Sequence, residues 1–388
     1  MNAQLPASRS EMSERMRGKL RTPGDDTPSQ AEAAIRVMIV DDSLTVRTIF
    51  KRMVESDASM KVTATASSAE RAIAELKSVP ADVILLDLEM PGMGGLEALP
   101  EILKRAAGGQ VLVVSSLTQD GAEHTVSALS MGAADTMLKP RPGGFNEDYR
   151  AQLLGKIRAL GGAKGDVRAD SARARAPDAT TIEKDKAQFS RPPEIVAIGA
   201  STGGIHALNI LLRGLTPDFY CPILITQHLP STFIPVFARQ VEMACARPAV
   251  IAEDGTEIRR GQVVIATGHG HMIVTRRGNK LVTRTSCEPA RSGCLPSVDP
   301  MFASLAQSCG NRVLALVLSG MGRDGLEGAR ALVDAGSTVF AQDAETSAVW
   351  GMPGAVAKAG LASLIARPEE LRERMLGAVQ GVVASERG

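Results

Sequence analysis

A chain of 388 residues is long for one domain and comfortable for two, and 44% hydrophobic with 22% charged residues is ordinary for a globular protein in water. A formal net charge of +1 argues against nucleic acid or an acidic membrane surface as the main partner, and no apolar run approaches the length needed to span a membrane. The five cysteines (Cys221, Cys245, Cys287, Cys294, Cys309) form no C-x-x-C pair and the opening segment has no signal-peptide core, which predicts free thiols in a reducing cytoplasm.

Residues 1–34 are rich in Ser, Arg, Glu and Pro without periodicity. They read as a flexible extension with a short helix around Glu11 to Lys19. From Arg36 the texture changes. Aliphatic runs at Val37–Val40, Val83–Leu86, Val111–Val114 and Thr136–Leu138, with a weaker one at Val62–Thr65, alternate with helix-like segments Thr45–Ser56, Ser68–Lys77, Gly95–Ala106 and Gly121–Met131. Strand–helix alternation at this spacing predicts a doubly wound parallel sheet, whose ligand groups gather at the carboxyl ends of the strands. The residues that follow the strands are Asp41-Asp42, Asp87, Ser115-Ser116 and Lys139-Pro140. Clustered carboxylates repel one another, and a hard cation such as Mg2+ relieves that repulsion. Asp87 is then placed to attack a phosphoryl group, with the cation and Lys139 neutralising its oxygens. A single Asp at a strand end is commonly just solvated; four strand ends carrying suitable types are harder to dismiss.

This half resembles a response-regulator receiver domain, through Asp41-Asp42, Asp87 in Leu-Leu-Asp-Leu-Glu-Met-Pro-Gly, Ser115 and Lys139-Pro140. The resemblance implies a flavodoxin-like fold with Asp87 as phospho-acceptor. It also implies Asp42 and Asp87 as Mg2+ ligands assisted by Asp41, and Ser115 and Lys139 as switch residues. Receivers usually carry Tyr or Phe three residues before the lysine; here that residue is Thr136.

A Gly, Ala, Arg, Asp, Lys, Ser and Pro-rich run follows and reads as a solvated interdomain linker. The second half opens with Ile195-Val-Ala-Ile-Gly-Ala-Ser-Thr-Gly-Gly204, a buried strand entering a glycine turn and a helix that starts at Ile205. Ser201 there sits beside helix amides that suit either an oxyanion or a bound phosphate, and the stretch by itself leaves both open. Further strands end in reactive types: Pro222–Thr226 leads to Gln227-His228, Val313–Leu318 to Ser319-Gly-Met-Gly-Arg-Asp-Gly325, and Ser337–Ala341 to Gln342-Asp343. Val263–Ala266 predicts an added strand and Met272–Ser286 a hairpin.

If the main strands are parallel, Ser201, His228 and Asp324 emerge on one edge, as a nucleophile, a base and an orienter would. The chain order Ser, His, Asp differs from that of the hydrolase-fold nucleophile elbow. As a dinucleotide site the stretch is poorer, because its glycines do not follow G-x-G-x-x-G and Thr226 ends the next strand without an acid. His124 and His206 read as helix-surface residues and His269-x-His271 as a loop pair. Asp324 competes with Asp254, Asp299 and Asp343, and it stands in the tightest turn.

The second half resembles the catalytic domain of the chemotaxis protein-glutamate methylesterases, the CheB family. The matching segments are Ile198–Gly204, Ile225-Thr-Gln-His-Leu-Pro230, Pro296-Ser-Val-Asp299, Leu318–Gly325 and Gly351-Met-Pro353; Leu295 stands where the family often has Arg. The resemblance implies Ser201 as nucleophile, His228 as general base and Asp324 as its orienter, with Thr202 and the Met321 backbone as oxyanion or site-shaping groups.

The expected architecture is a flexible extension (1–34), a receiver (35–155), a linker (156–192) and a mostly parallel α/β methylesterase domain with an added β-hairpin (193–388). The expected substrates are glutamate γ-methyl esters and glutamines of methyl-accepting chemoreceptors, and the phosphodonor is a histidine kinase. The expectation includes Mg2+ in the receiver, no cofactor for the esterase, no nucleic acid and no membrane insertion. A DNA-binding output fits poorly, since no basic recognition helix is present. The remaining alternative is a response regulator with a dinucleotide-binding output domain.

Overall fold

The computed structural model describes residues 34–116, 118–140, 144–173 and 192–380. The short helix expected near Glu11 and the later part of the expected linker lie outside these residues.

The first half alternates strand and helix throughout: β1 (Ile35–Val40), α1 (Leu44–Glu55), β2 (Met60–Ala66), α2 (Ala69–Glu75), β3 (Val83–Asp87), α3 (Gly95–Arg105), β4 (Gln110–Ser115), α4 (Gln119–Met131), β5 (Asp135–Leu138) and α5 (Glu147–Arg173). The strands form a five-stranded parallel sheet in the order β2-β1-β3-β4-β5. Val83 to Asp87 are all buried, as a central strand covered by helices on both faces requires. The weak run around Val62 is a full strand, its pairing with β1 carried across an irregular register between Val37 and Met38.

The second half adds β6 (Ile195–Ala200), α6 (Gly204–Leu212), β7 (Ile223–Gln227), a 3-10 turn at Ser231–Phe233, α7 (Ile234–Cys245), β8 (Ala249–Ile251) and β9 (Val263–Ile265). Then come the hairpin β10 (His271–Arg277) and β11 (Lys280–Ser286), α8 (Val298–Cys309), β12 (Val313–Val317), α9 (Leu326–Asp334), β13 (Thr338–Gln342), α10 (Met352–Lys358), β14 (Leu364–Ala366) and α11 (Pro368–Gln380). Seven parallel strands run in the order β14-β13-β12-β6-β7-β9-β8, and β10-β11 is a separate antiparallel ribbon. The fold is therefore the doubly wound receiver and mostly parallel α/β domain with an added hairpin that the sequence predicts.

Helix α5 runs past Gly155, where the sequence places the end of the receiver. Leu153, Ile157 and Leu160 repeat at helical spacing and are all buried in the receiver's apolar cluster. Lys156 meets Asp135 at 2.6 Å. The glycine-rich composition of the segment hides this last apolar turn. No helix among the described residues is long and apolar enough to cross a membrane.

Ile157→Ala removes a fully buried side chain, so it should cost about 2–5 kcal/mol and lower the urea midpoint of the full chain. An unchanged midpoint would place Ile157 outside the core.

Candidate active site

Both sheets reverse their strand order beside their first strand. In the second domain β7, β8 and β9 are all laid on one side of β6, in the spatial order β7-β9-β8, and the chain then returns to lay β12 on the other side of β6. The helices on either side of such a reversal lie on opposite faces, which leaves a crevice at the strands' carboxyl ends. Ser201 follows β6, His228 follows β7 and Asp324 follows β12.

The three side chains are in contact. His228 Nδ1 lies 3.1 Å from Ser201 Oγ, and Nε2 lies 2.7 Å from Asp324 Oδ2. An ionised carboxylate only accepts hydrogen bonds, so the neutral ring carries its proton on Nε2 and leaves the Nδ1 lone pair for the serine hydroxyl. Asp324 is 2% exposed and held on every side. Its Oδ1 accepts from Ser297 Oγ (2.6 Å), Gly325 N (3.0 Å) and Asp299 N (3.3 Å), and its Oδ2 accepts from Val298 N (2.7 Å). Ser297 caps α8, so the amides of Val298 and Asp299 bring the positive end of that helix onto the carboxylate. Burial by itself would raise the Asp324 pKa, but the bonds from His228, Ser297 and Val298 hold it below the usual carboxylate range. Burial by itself would lower that of His228, and the Asp324 hydrogen bond together with Cys294 raises it instead.

Glycine is needed at two points. Gly203 caps α6 at φ +78°, a left-handed conformation that turns the chain sharply behind Ser201. At Gly320 an added Cβ would come within 2.8 Å of Ser201 Cβ and 2.3 Å of Met352 Sδ. The Ser201 turn and the Asp324 loop therefore approach at backbone distance. Gln227 Nε2 donates to Ser201 O at 2.9 Å, and Ser319 Oγ donates to Thr202 O at 2.7 Å.

The side chains of the other sequence candidates make other contacts. Asp254 accepts from Thr285 N on the hairpin, Asp343 caps its own turn at Thr346, and Asp299 accepts from Gly328 N at 2.7 Å. His124 and His206 are exposed. His271 departs from the loop reading: it opens β10 and is 2% exposed, with Nε2 2.8 Å from Glu288 O and Nδ1 accepting from Ser297 N at 2.9 Å. It thus fixes the serine that donates to Asp324. The apolar run Met272–Val274 directly after it is the available signal, masked by the glycines at 268 and 270. Met321 is 47% exposed on the loop between β12 and Asp324. Thr202, expected near the oxyanion, is buried, and its hydroxyl donates to Asp135 Oδ2 of the first domain at 2.6 Å.

That contact belongs to a continuous seam. Gly203 N donates to Ala134 O at 2.5 Å, His206 Nδ1 lies 3.1 Å from Ser130 O, Arg239 pairs with Glu123 at 2.7 Å, and the Gln240 amide bridges Ser127 and Ser130. Val349 packs into the apolar cluster of the first domain. A cavity of about 280 Å³, lined by Thr118 and Ala122 on one side and by Phe233, Val236 and Arg239 on the other, lies in the same seam.

In the first domain the reversal falls between β1 and β3, which puts Asp41-Asp42 beside Asp87. Carboxylate oxygens of Asp41, Asp42 and Asp87 lie within 4.8 Å of one another, a donor set suited to a hard divalent cation. Lys139 Nζ reaches Asp41 Oδ2 at 2.9 Å and Asp87 Oδ2 at 2.6 Å. Burial raises the Asp87 pKa to about 6 against the opposing pull of Lys139. The hydroxyls of Ser115 and Thr136 are buried without a hydrogen-bond partner.

Residues 196–375 match the family profile CheB methylesterase, and residues 37–144 match the response regulator receiver domain. The chain is 41% identical over 362 residues to a Paramagnetospirillum magneticum protein named protein-glutamate methylesterase/protein-glutamine glutaminase 1, covering 88% of this chain and 95% of that protein. A Rhodospirillum rubrum protein of the same name is 40% identical over 367 residues, covering 89% and 95%. A crystal structure of the Thermotoga maritima CheB methylesterase catalytic domain aligns with TM-score 0.47 and 31% identity over 48% of this chain and 98% of that one.

NMR titration should find the His228 imidazole above the ordinary value of about 6.5, since the ionised partner favours the charged ring. Asp324→Asn removes that partner and should bring the value down. A His228 titration that does not move would contradict the ion pair.

Proposed function

The chain belongs to the CheB methylesterase family, with a receiver ahead of its catalytic domain, and from that premise we propose how its own residues carry out and gate the reaction. It is a phosphorylation-regulated protein-glutamate methylesterase of chemotaxis that also deamidates glutamine. Ser201 Oγ attacks the γ-carbonyl of a methylated glutamate on a chemoreceptor helix, and His228 Nδ1 takes the hydroxyl proton. Asp324 remains ionised, keeps the ring proton on Nε2 and stabilises the imidazolium formed in the step. Backbone groups at Thr202 and Met321 are the proposed donors to the developing oxyanion. His228 returns the proton to departing methanol, or to ammonia when the substrate is glutamine. Water activated by the same ring then releases glutamate. The observation that carries this reading is the unbroken Ser201–His228–Asp324 chain, with contacts of 3.1 and 2.7 Å.

A histidine kinase is the proposed phosphodonor and Asp87 the acceptor. Asp41, Asp42 and Asp87 would hold Mg2+, which when bound offsets negative charge around the acceptor. Lys139 supplies a fixed cation, and the unpartnered Ser115 hydroxyl is available to a phosphoryl oxygen. The proposed domain limits keep the extension at 1–34 and the catalytic domain from 193. They move the end of the receiver to the last buried turn of α5, at Leu160. Regulation follows from the seam: Asp135 and Ala134 hold Thr202 and Gly203, the two residues after the nucleophile, so the unphosphorylated receiver restrains the turn that must accept substrate.

Ser201→Ala should reduce methanol release from methylated receptor membranes by about 10⁴-fold or more while Asp87 is still phosphorylated by a small phosphodonor. Retained hydrolysis would remove Ser201 from the mechanism. Asp135→Ala in the full chain deletes the bond to Thr202 and should raise methanol release severalfold without phosphodonor. An unchanged or lower basal rate in the folded variant would argue against restraint at this point.

A further inference from the structure

Cys294 is not needed by the serine mechanism, yet it stands within reach of its base. One ring nitrogen of His228, Cys294 Sγ and one carboxylate oxygen of Asp324 all lie within 4.8 Å of one another. Asp324 is buried, while His228 and Cys294 are only half-buried, so the trio has a closed floor and an open side. Imidazole, thiolate and carboxylate together are a zinc donor set, and a site with three protein ligands leaves the fourth position to water. The charges also match: a neutral ring, a thiolate and a carboxylate supply two negative charges against the two positive charges of the ion, which suits a half-buried position.

The loop holds the thiol near this position. Cys294 N donates to Ser292 Oγ at 3.3 Å, and Ser292 Oγ donates to Ser297 Oγ at 3.1 Å. Ser297 is the residue whose hydroxyl bonds Asp324 at 2.6 Å. Two of the three ligands are thus braced by one hydroxyl chain, as the outer partners of metal ligands commonly are.

We propose that His228, Cys294 and Asp324 form a Zn2+ site whose occupation switches off Ser201. The ion enters between Nε2 and Asp324 Oδ2, which stand 2.7 Å apart, and the ring draws back by about 0.7 Å to open ligand spacing normal for tetrahedral zinc. The Nε2 proton passes to solvent as the metal bond forms, Nδ1 takes one proton from solvent so that the ring stays neutral, and the thiol proton leaves to solvent. Nδ1 then presents N–H to Ser201 Oγ instead of a lone pair, so the ring no longer accepts the hydroxyl proton. The inhibitory part of the proposal rests on His228 as the base; the binding part does not.

The test is made on the full chain. Co2+ titration should give thiolate-to-metal absorption in the near ultraviolet for the wild type and for Ser201→Ala, and none for Cys294→Ala. Micromolar free Zn2+ should suppress wild-type methanol release at least tenfold, with recovery on chelation. Cys294→Ala, active without zinc, should need at least tenfold more Zn2+ for the same suppression. Absence of the thiolate band in the wild type, or equal zinc sensitivity in wild type and Cys294→Ala, overturns the proposal. Zinc-free hydrolysis by Ser201→Ala would overturn the serine mechanism instead, so the two failures are separable.

Discussion

Everything functional in this chain depends on a parallel sheet whose strand order reverses. Where strand order runs outward from a first strand and then restarts on its other side, the covering helices diverge and the strands' carboxyl ends stay open. The chain does this twice, between β1 and β3 and between β6 and β12. The first opening collects carboxylates and a lysine; the second collects a hydroxyl, an imidazole and a carboxylate. Strand ends placed this way need only short loops to bring residues 27 and 96 positions apart into contact. Ser201 and Asp324 meet His228 because β6, β12 and β7 are neighbours in one sheet.

The buried carboxylate of the second site is costly unless it is fully partnered. Asp324 is partnered by a helix N-terminus, a serine hydroxyl and the imidazole, which makes it a fixed point from which the ring is oriented. The Ser201 turn, in contrast, is shared. Ser201 faces the imidazole while Thr202 and Gly203, next along the chain, bond to the receiver. A rearrangement at the α4–β5 side of the receiver therefore acts one residue from Ser201. The proposed regulation requires no long relay, because the two domains meet at Thr202 and Gly203, next to Ser201.

The sequence made the parallel sheets legible through short aliphatic runs, and the residues ending those runs marked both sites. Ser201 and His228 stand directly after buried strands and Asp324 in the glycine turn after a third, and the resemblance to the methylesterases implied their roles. Less was legible where function depends on contacts distant in sequence. His271 reads as a loop residue because glycines hide the start of β10, although its ring fixes Ser297 beneath Asp324. Thr202 reads as a site-shaping residue, but its side chain turns toward Asp135, a partner that only the packed domains bring near. Lys156, Ile157 and Leu160 read as linker because the composition around them is rich in Gly and Ala. They are bound into the receiver by one ion pair and two buried side chains. Cys294 has no local pattern at all and gains meaning only from the ring and carboxylate beside it.

The central claim is that one phosphoryl group on the first strand-end cluster releases the serine at the second. The direct measurement is methanol release from methylated receptor membranes by the full chain, with and without a small phosphodonor, in wild type and in Asp87→Asn. The account predicts a marked phosphodonor-dependent rise in the wild type that is absent in Asp87→Asn. A rate that ignores the phosphodonor in the wild type, or responds to it equally without Asp87, would contradict it.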